Sequence, residues 1–209
     1  SETGERGLQR ASLMFTQREA ASFDLDDIFE LGTNGLLELA QNNSHFSHFR
    51  NSLLSPQARR MDRDALGAEA VQALDKELRA LLQLLSPVFL LRAAHKVLEW
   101  LLWRFAIHRH NVADVVACCL PFHDTVLAAR LIQLLAIDRM SVFSFLEGVR
   151  RSGAPLPRSF LVDRCVASSA LLTFVHDRAM TAAADGVNNR ALTSLWAALA
   201  VGVIRERAG

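Results

Sequence analysis

Residues 66–105 read LGAEAVQALDKELRALLQLLSPVFLLRAAHKVLEWLLWRF, and this stretch decides the fold class. Leu66, Ala70, Leu74, Leu78, Leu81 and Leu85 recur at spacings of three and four, which places them on one face of a helix. Ser86-Pro87 interrupts the pattern: a serine can cap a following helix, and a proline suits its first position. The rhythm then resumes to about Phe105 with Val88, Leu91, His95, Leu98, Leu102 and Phe105. Two amphipathic helices with almost no connection must fold back on one another, which is the αα-hairpin of helical arrays.

The same rhythm extends in both directions. Toward the N-terminus, Leu25–Gln41 is expected to be a helix capped by Asp24, with Asp26 and Asp27 favourable in its first turn. Gly32 and Gly35 weigh against it, since each costs about 1 kcal/mol relative to alanine inside a helix. A short piece at 44–52 follows, whose aromatic cluster of His45, Phe46, His48 and Phe49 reads as a short helix docking its two phenylalanines. The segment 55–64 reads as a loop. Toward the C-terminus, helices are expected at 112–119, at 126–137 (capped by Asp124 or Thr125), at 141–151, at 159–179 and at 190–205. Breaks fall at Leu120-Pro121, at 153–157 and near Asp185-Gly186. Tyrosine is absent and no long alternating β-branched run occurs, so strands are not expected. The expected fold is all-α, with antiparallel helix pairs stacked as a HEAT-like α-solenoid. It covers residues 12–209 as a single helical domain behind a flexible segment at 1–11. No exact repeat of fixed period is present, so the expectation rests on paired helices rather than on self-similarity.

Composition narrows the function classes. The 209 residues are 51% hydrophobic and 22% charged, a folding composition and not a disordered one. No run approaches about 18 uncharged apolar residues, and SETGERGLQR is too polar for a signal peptide, so no membrane span is expected. Residue 1 is serine and not an initiator methionine, as in a piece cut from something longer. The net charge of +1 is unevenly spread: residues 1–138 carry 14 basic and 17 acidic side chains, and residues 139–209 carry 9 and 5. That basic bias is small for a phosphate-binding footprint. The three cysteines, Cys118, Cys119 and Cys165, are odd in number and two are adjacent, which suits a reducing compartment better than a disulfide framework.

Chemistry-bearing residues are few. His108, His110, Cys118, Cys119 and His123 lie close in sequence but follow no zinc spacing, so neither metal nor cofactor is expected. No nucleophile elbow, P-loop or dinucleotide fingerprint occurs, so no catalytic residue is assigned and no small-molecule substrate is expected. Arg92, Lys96, Trp100, Trp103 and Arg104 line the side of helix 88–105 opposite its leucine stripe. They form a candidate partner-binding ridge, because tryptophan and arginine are enriched at interface hot spots. The competing reading is that an inner helix of a layered array is buried on both sides and the tryptophans fill a second layer. Arg150, Arg151 and Arg158 flank the break at 153–157 and are the weaker candidates, for RNA phosphate.

One succession of residues goes beyond class. Leu85-Ser86-Pro87-Val88-Phe89-Leu90-Leu91 leads into His95-Lys96-Val97-Leu98-Glu99-Trp100-Leu101-Leu102-Trp103-Arg104-Phe105, then through Ile107, His108 and Asn111 to Cys119-Leu120-Pro121-Phe122-His123, and closes with Arg130-Leu131-Ile132-Gln133-Leu134-Leu135. It resembles the N-terminal region of the HEAT repeat-containing protein 1 family, the large HEAT subunit of the small-subunit processome. Ser12-Leu13-Met14-Phe15, Leu31-Gly32 with Gly35 to Leu39, and Ser152-Gly153-Ala154-Pro155-Leu156 are similar to it as well, whereas residues 55–69 depart from it. The resemblance implies one end of a far longer solenoid working in the nucleus, at the nucleolus. It implies a non-catalytic scaffold serving pre-ribosomal RNA transcription and small-subunit rRNA maturation. The implied partners are protein subunits of the early processome subcomplex, a WD40 subunit among them, with pre-ribosomal or small nucleolar RNA nearby. Direct RNA binding through arginines of the C-terminal half is the alternative.

Overall fold

A computed structural model describes residues 10–138, 140–155, 157–186 and 189–209 of the chain. Among these residues the regular elements are helical and no strand occurs. They group into two compact units that divide between Asn111 and Val112. Of the flexible segment expected at 1–11, residues 1–9 lie outside the described residues.

The first unit contains α1 (Gln17–Ala20), α2 (Leu25–Asn42), α3 (Ala68–Leu85), α4 (Arg92–Phe105) and α5 (Ile107–His110). Helix α2 starts where it does because Asp24 is extended and accepts the Asp27 N–H, while the Asp27 carboxylate accepts the Asp24 N–H, both at 2.9 Å. This reciprocal cap satisfies two donors that a helix start otherwise leaves open. Gly32 and Gly35, which weigh against a helix in the sequence, are explained by packing. An added Cβ on Gly32 would stand 2.6 Å from Trp100 Cβ, and one on Gly35 would stand 2.5 Å from the Ala93 carbonyl oxygen. The two glycines let α2 lie directly against α4. After α2 a 3₁₀ helix, Ser44–Arg50, buries Phe46 and Phe49 and leaves His45 and His48 outside, as expected. The segment expected as a loop holds two single 3₁₀ turns, Ala58–Arg60 and Arg63–Ala65.

Both helices of the decisive stretch are present, but they do not form the expected hairpin: α4 packs against α2, and α3 meets the 3₁₀ helix Ser44–Arg50 and the turn that follows α3. Leu74, Leu78, Leu81 and Leu85 are buried on α3, but Leu66 precedes that helix and Ala70 is exposed in its first turn. Ser86-Pro87 does not open the second helix. Ser86–Val88 forms a 3₁₀ turn and α4 begins only at Arg92, behind an extended Leu91. The reason lies in Phe89 and His95: Phe89 is fully buried, and its carbonyl oxygen accepts a hydrogen bond from His95 Nε2 at 2.7 Å. That side-chain bond holds the chain in an extended step before the helix can start. Helix α4 is buried on both sides, with His95, Leu98, Leu102 and Phe105 on one and Ala93, Val97, Trp100 and Leu101 on the other.

The second unit contains α6 (Val112–Cys119), α7 (Val126–Leu134), α8 (Val142–Ser152), α9 (Arg158–Ala167), α10 (Ala170–Ala184) and α11 (Arg190–Ala208). Thr125, not Asp124, caps α7 by accepting the Ala128 N–H. Gly148 on α8 faces the Ala113 carbonyl oxygen, 2.5 Å from where a Cβ would sit, so α6 and α8 meet as closely as α2 and α4 do. The single helix expected at 159–179 is in fact two. Ser168 is extended (φ −150°, ψ 130°), and its hydroxyl donates to the Ile137 carbonyl oxygen at 2.9 Å. A serine that bonds elsewhere competes with helix continuation. The buried Arg164 donates to the Ile132 and Gln133 carbonyl oxygens (2.7 and 3.3 Å), covering the C-terminal end of α7.

Gly35→Ala should therefore lower stability by about 1–3 kcal/mol, as overpacking does, although alanine is the better helix former. Urea unfolding measures it, and a variant more stable than the parent would show that α2 and α4 are not in this close contact.

Candidate functional site

The candidate ridge on α4 does not survive folding as one surface. Trp100 is fully buried; its indole N–H donates to the Leu53 carbonyl oxygen at 2.9 Å, and its ring meets Phe29 edge-on at 5.0 Å. It is a core residue, because the glycines of α2 open the space it fills. Lys96 is engaged by Glu38 of α2 at 2.7 Å, and Arg92 is exposed in the first turn. Trp103 is half-buried, its indole N–H given to Glu99 and its ring face covered by the Arg10 guanidinium 4.4 Å away. Arg104 is half-buried too, and its Nε is shielded from solvent with no hydrogen-bond partner among the described residues. Burial depresses its pKa, an effect that the charge of Asp62 opposes.

The residue that sequence reasoning missed is Glu99. Its carboxylate is fully buried and accepts four hydrogen bonds, from Ser12 Oγ (2.6 Å), Leu13 N (2.9 Å), Met14 N (3.0 Å) and Trp103 Nε1 (2.8 Å). A carboxylate removed from water needs such donors, and charge-assisted bonds to it are the strong kind. It ties the segment before α1 to the middle of α4. The only trace in the sequence is the spacing of Glu99 and Trp103, four residues apart on one helix face. Nothing local announces its partners 85–87 residues away.

Between that N-terminal segment and the end of α4 lies a cleft of about 380 Å³. Arg10, Trp103, Arg104, His108 and Arg109 line it together with Leu25 and Leu102. His108 Nδ1 is also buried without a partner among the described residues. Burial, with Arg109 and His110 nearby, lowers the His108 pKa to about 4, so its imidazole is neutral at physiological pH.

The remaining candidates are dispersed. Arg150 makes a two-pronged ion pair with Glu147 (2.9 and 2.6 Å), and Arg151 pairs with the buried Asp114 at 2.8 Å. Arg158 is exposed at the start of α9. All three cysteines are buried, and burial pushes the Cys118 thiol up to about 12, the Cys165 thiol to about 11 and the Cys119 thiol upward as well. Thiols held there are poor nucleophiles at neutral pH. Among the described residues no group of three or more His, Cys, Asp or Glu side chains is placed to hold a metal ion. No described helix is long and apolar enough to cross a membrane.

No family model matches the chain. Individual proteins do. An uncharacterized protein of Arabidopsis thaliana is 39% identical over 179 residues, 86% of this chain and 8% of that protein. HEAT repeat-containing protein 1 of Homo sapiens is 38% identical over 166 residues, 79% of this chain and 8% of that protein. U3 small nucleolar RNA-associated protein 10 of Emericella nidulans is 31% identical over 195 residues, 93% of this chain and 11% of that protein. The chain thus spans about a tenth of the length of the relatives it matches.

Two outcomes follow from the buried polar groups. Glu99→Gln turns one acceptor oxygen into a donor facing donors and should cost at least about 2 kcal/mol in urea unfolding; a neutral result would dismiss the four-donor site. His108, with a folded pKa of about 4 against about 6.5 in the unfolded chain, refuses a proton that the unfolded chain accepts. Stability should fall as pH drops from about 6.5 toward 4, and His108→Gln should make that fall shallower. An identical pH profile for the variant would show that His108 is not held neutral.

Proposed function

This chain belongs, over the segment it shares with them, to the family of HEAT repeat-containing protein 1 and U3 small nucleolar RNA-associated protein 10, and on that premise we propose that it is a non-catalytic scaffold segment of a ribosome-biogenesis factor. It docks protein subunits of the early small-subunit processome, a WD40 subunit among them, in the nucleolus. The observation that carries the reading is the likeness itself. It covers most of this chain and joins it to proteins whose names state HEAT repeats and association with the U3 small nucleolar RNA.

The chemistry supports a scaffold over an enzyme. Several buried polar groups serve packing: Glu99 holds the N-terminal segment and Arg164 covers a helix end, and the thiols are buried. Paired helices offer grooves and faces that suit a helix or extended peptide of a partner. Within the candidate set, Arg92 at the start of α4 and Trp103 and Arg104 at its end keep access to a partner, whereas Trp100 is core and Lys96 is tied to Glu38. The RNA reading is the weaker one, since Arg150 and Arg151 already hold carboxylates.

The test is a pull-down of the 209-residue chain against separate subunits of the early processome subcomplex, with pre-ribosomal RNA as parallel bait. One protein subunit should bind saturably and be lost on Arg92→Glu with Arg104→Glu. Retention of every subunit by that double variant would remove the surface. Salt-sensitive capture of RNA alone would move the function to the arginines of the C-terminal half.

A further inference from the structure

The cleft beside Trp103 combines three features that packing alone does not explain. Three arginines, Arg10, Arg104 and Arg109, line it, and among the described residues no carboxylate does. Two of the residues that line it, Arg104 and His108, each carry a buried nitrogen with no hydrogen-bond partner among the described residues. Leu25 and Leu102 supply an apolar wall next to the cations.

We propose that this cleft receives an acidic peptide segment of a protein partner, an Asp or Glu carboxylate between the arginines and an adjoining apolar side chain against Leu25 and Leu102. Guanidinium groups favour such planar, two-pronged recognition of carboxylates. The observations select a peptide over RNA. A nucleic-acid strand is held by a track of cations and by bases stacked on open aromatic faces. Here the Trp103 face is already covered by Arg10. Residues 1–111 as a whole carry 13 basic and 14 acidic side chains, so no excess of positive charge extends beyond the cleft. The proposal rests on the docking reading above and names the chemistry of the partner.

Fluorescence anisotropy on the 209-residue chain tests it, with a fluorescein-labelled, C-terminally amidated dodecapeptide of alternating glutamate and leucine as probe. The comparison probes are its glutamine counterpart, the same peptide with a free C-terminus, and a decameric oligouridylate. The amidated acidic peptide should bind saturably. Arg104→Met and Arg109→Met should each weaken it at least about tenfold, Arg104→Lys should weaken it less, and Arg190→Met on the second unit should leave it unchanged. Circular dichroism of each variant confirms folding, and the lysine variant keeps the charge if the methionine one unfolds. Equal binding of the glutamine peptide, no effect at Arg104, or preferential binding of oligouridylate would each overturn the proposal. Binding of the free-terminus peptide alone would overturn the side-chain assignment in favour of a chain end. If the peptide fails while a processome subunit is still captured, the cleft is wrong and the docking reading stands. If every subunit fails while the peptide binds, the cleft stands and the docking reading is wrong.

Discussion

The first unit is organised around a carboxylate buried from solvent. Glu99 lies at the centre of α4, fully buried, and the donors that keep it there come from both of its neighbours: the segment Ser12–Met14 and the indole of Trp103. Each consequence is geometric. Because Leu13 and Met14 give their backbone N–H groups to Glu99, the chain before α1 lies along α4 and Leu13 is itself fully buried. Because Trp103 turns its N–H toward Glu99, its ring stands where Arg10 can cover it. The cleft beside Trp103 is the space left over by those two arrangements.

Much of the helical plan was legible from periodicity and capping residues. The Asp24 cap of α2, the leucine face of α3 from Leu74 on, and the two phenylalanines of the 3₁₀ helix came directly from spacing and residue type. Where expectation and structure part, a bond outside the helical ladder had decided the local conformation. His95 holding the Phe89 carbonyl delayed α4, and Ser168 bonding Ile137 split the helix at 159–179. Helix propensities carry no information about such side-chain bonds, so the pattern of leucines alone could not place these two boundaries.

The candidate site was less legible for a related reason. Helical periodicity sorts residues into faces, but it does not say how many faces are covered. On α4 both are, so Trp100 belongs to the interior and, of the aromatic and arginine candidates, Arg92, Trp103 and Arg104 keep some access to solvent. The glycines held the missing clue. Gly32 and Gly35 look like faults in a helix until a second helix is laid against them, and Gly148 repeats the device between α6 and α8. A helix that gives up side chains at its contact face permits a large side chain opposite, and Trp100 is the side chain that uses the space.

The distribution of thiols has an experimental consequence. Cys118, Cys119 and Cys165 all lie in the second unit, all are buried, and the first unit has no cysteine. A thiol-selective alkylating reagent therefore meets no thiol until the second unit opens around one. The rate of modification in native buffer reports opening around these thiols in the second unit. With Trp196 of the second unit replaced by phenylalanine, the fluorescence of Trp100 and Trp103 reads the first. The chain thus carries, with no label attached to it, a separate reporter in each of its two units.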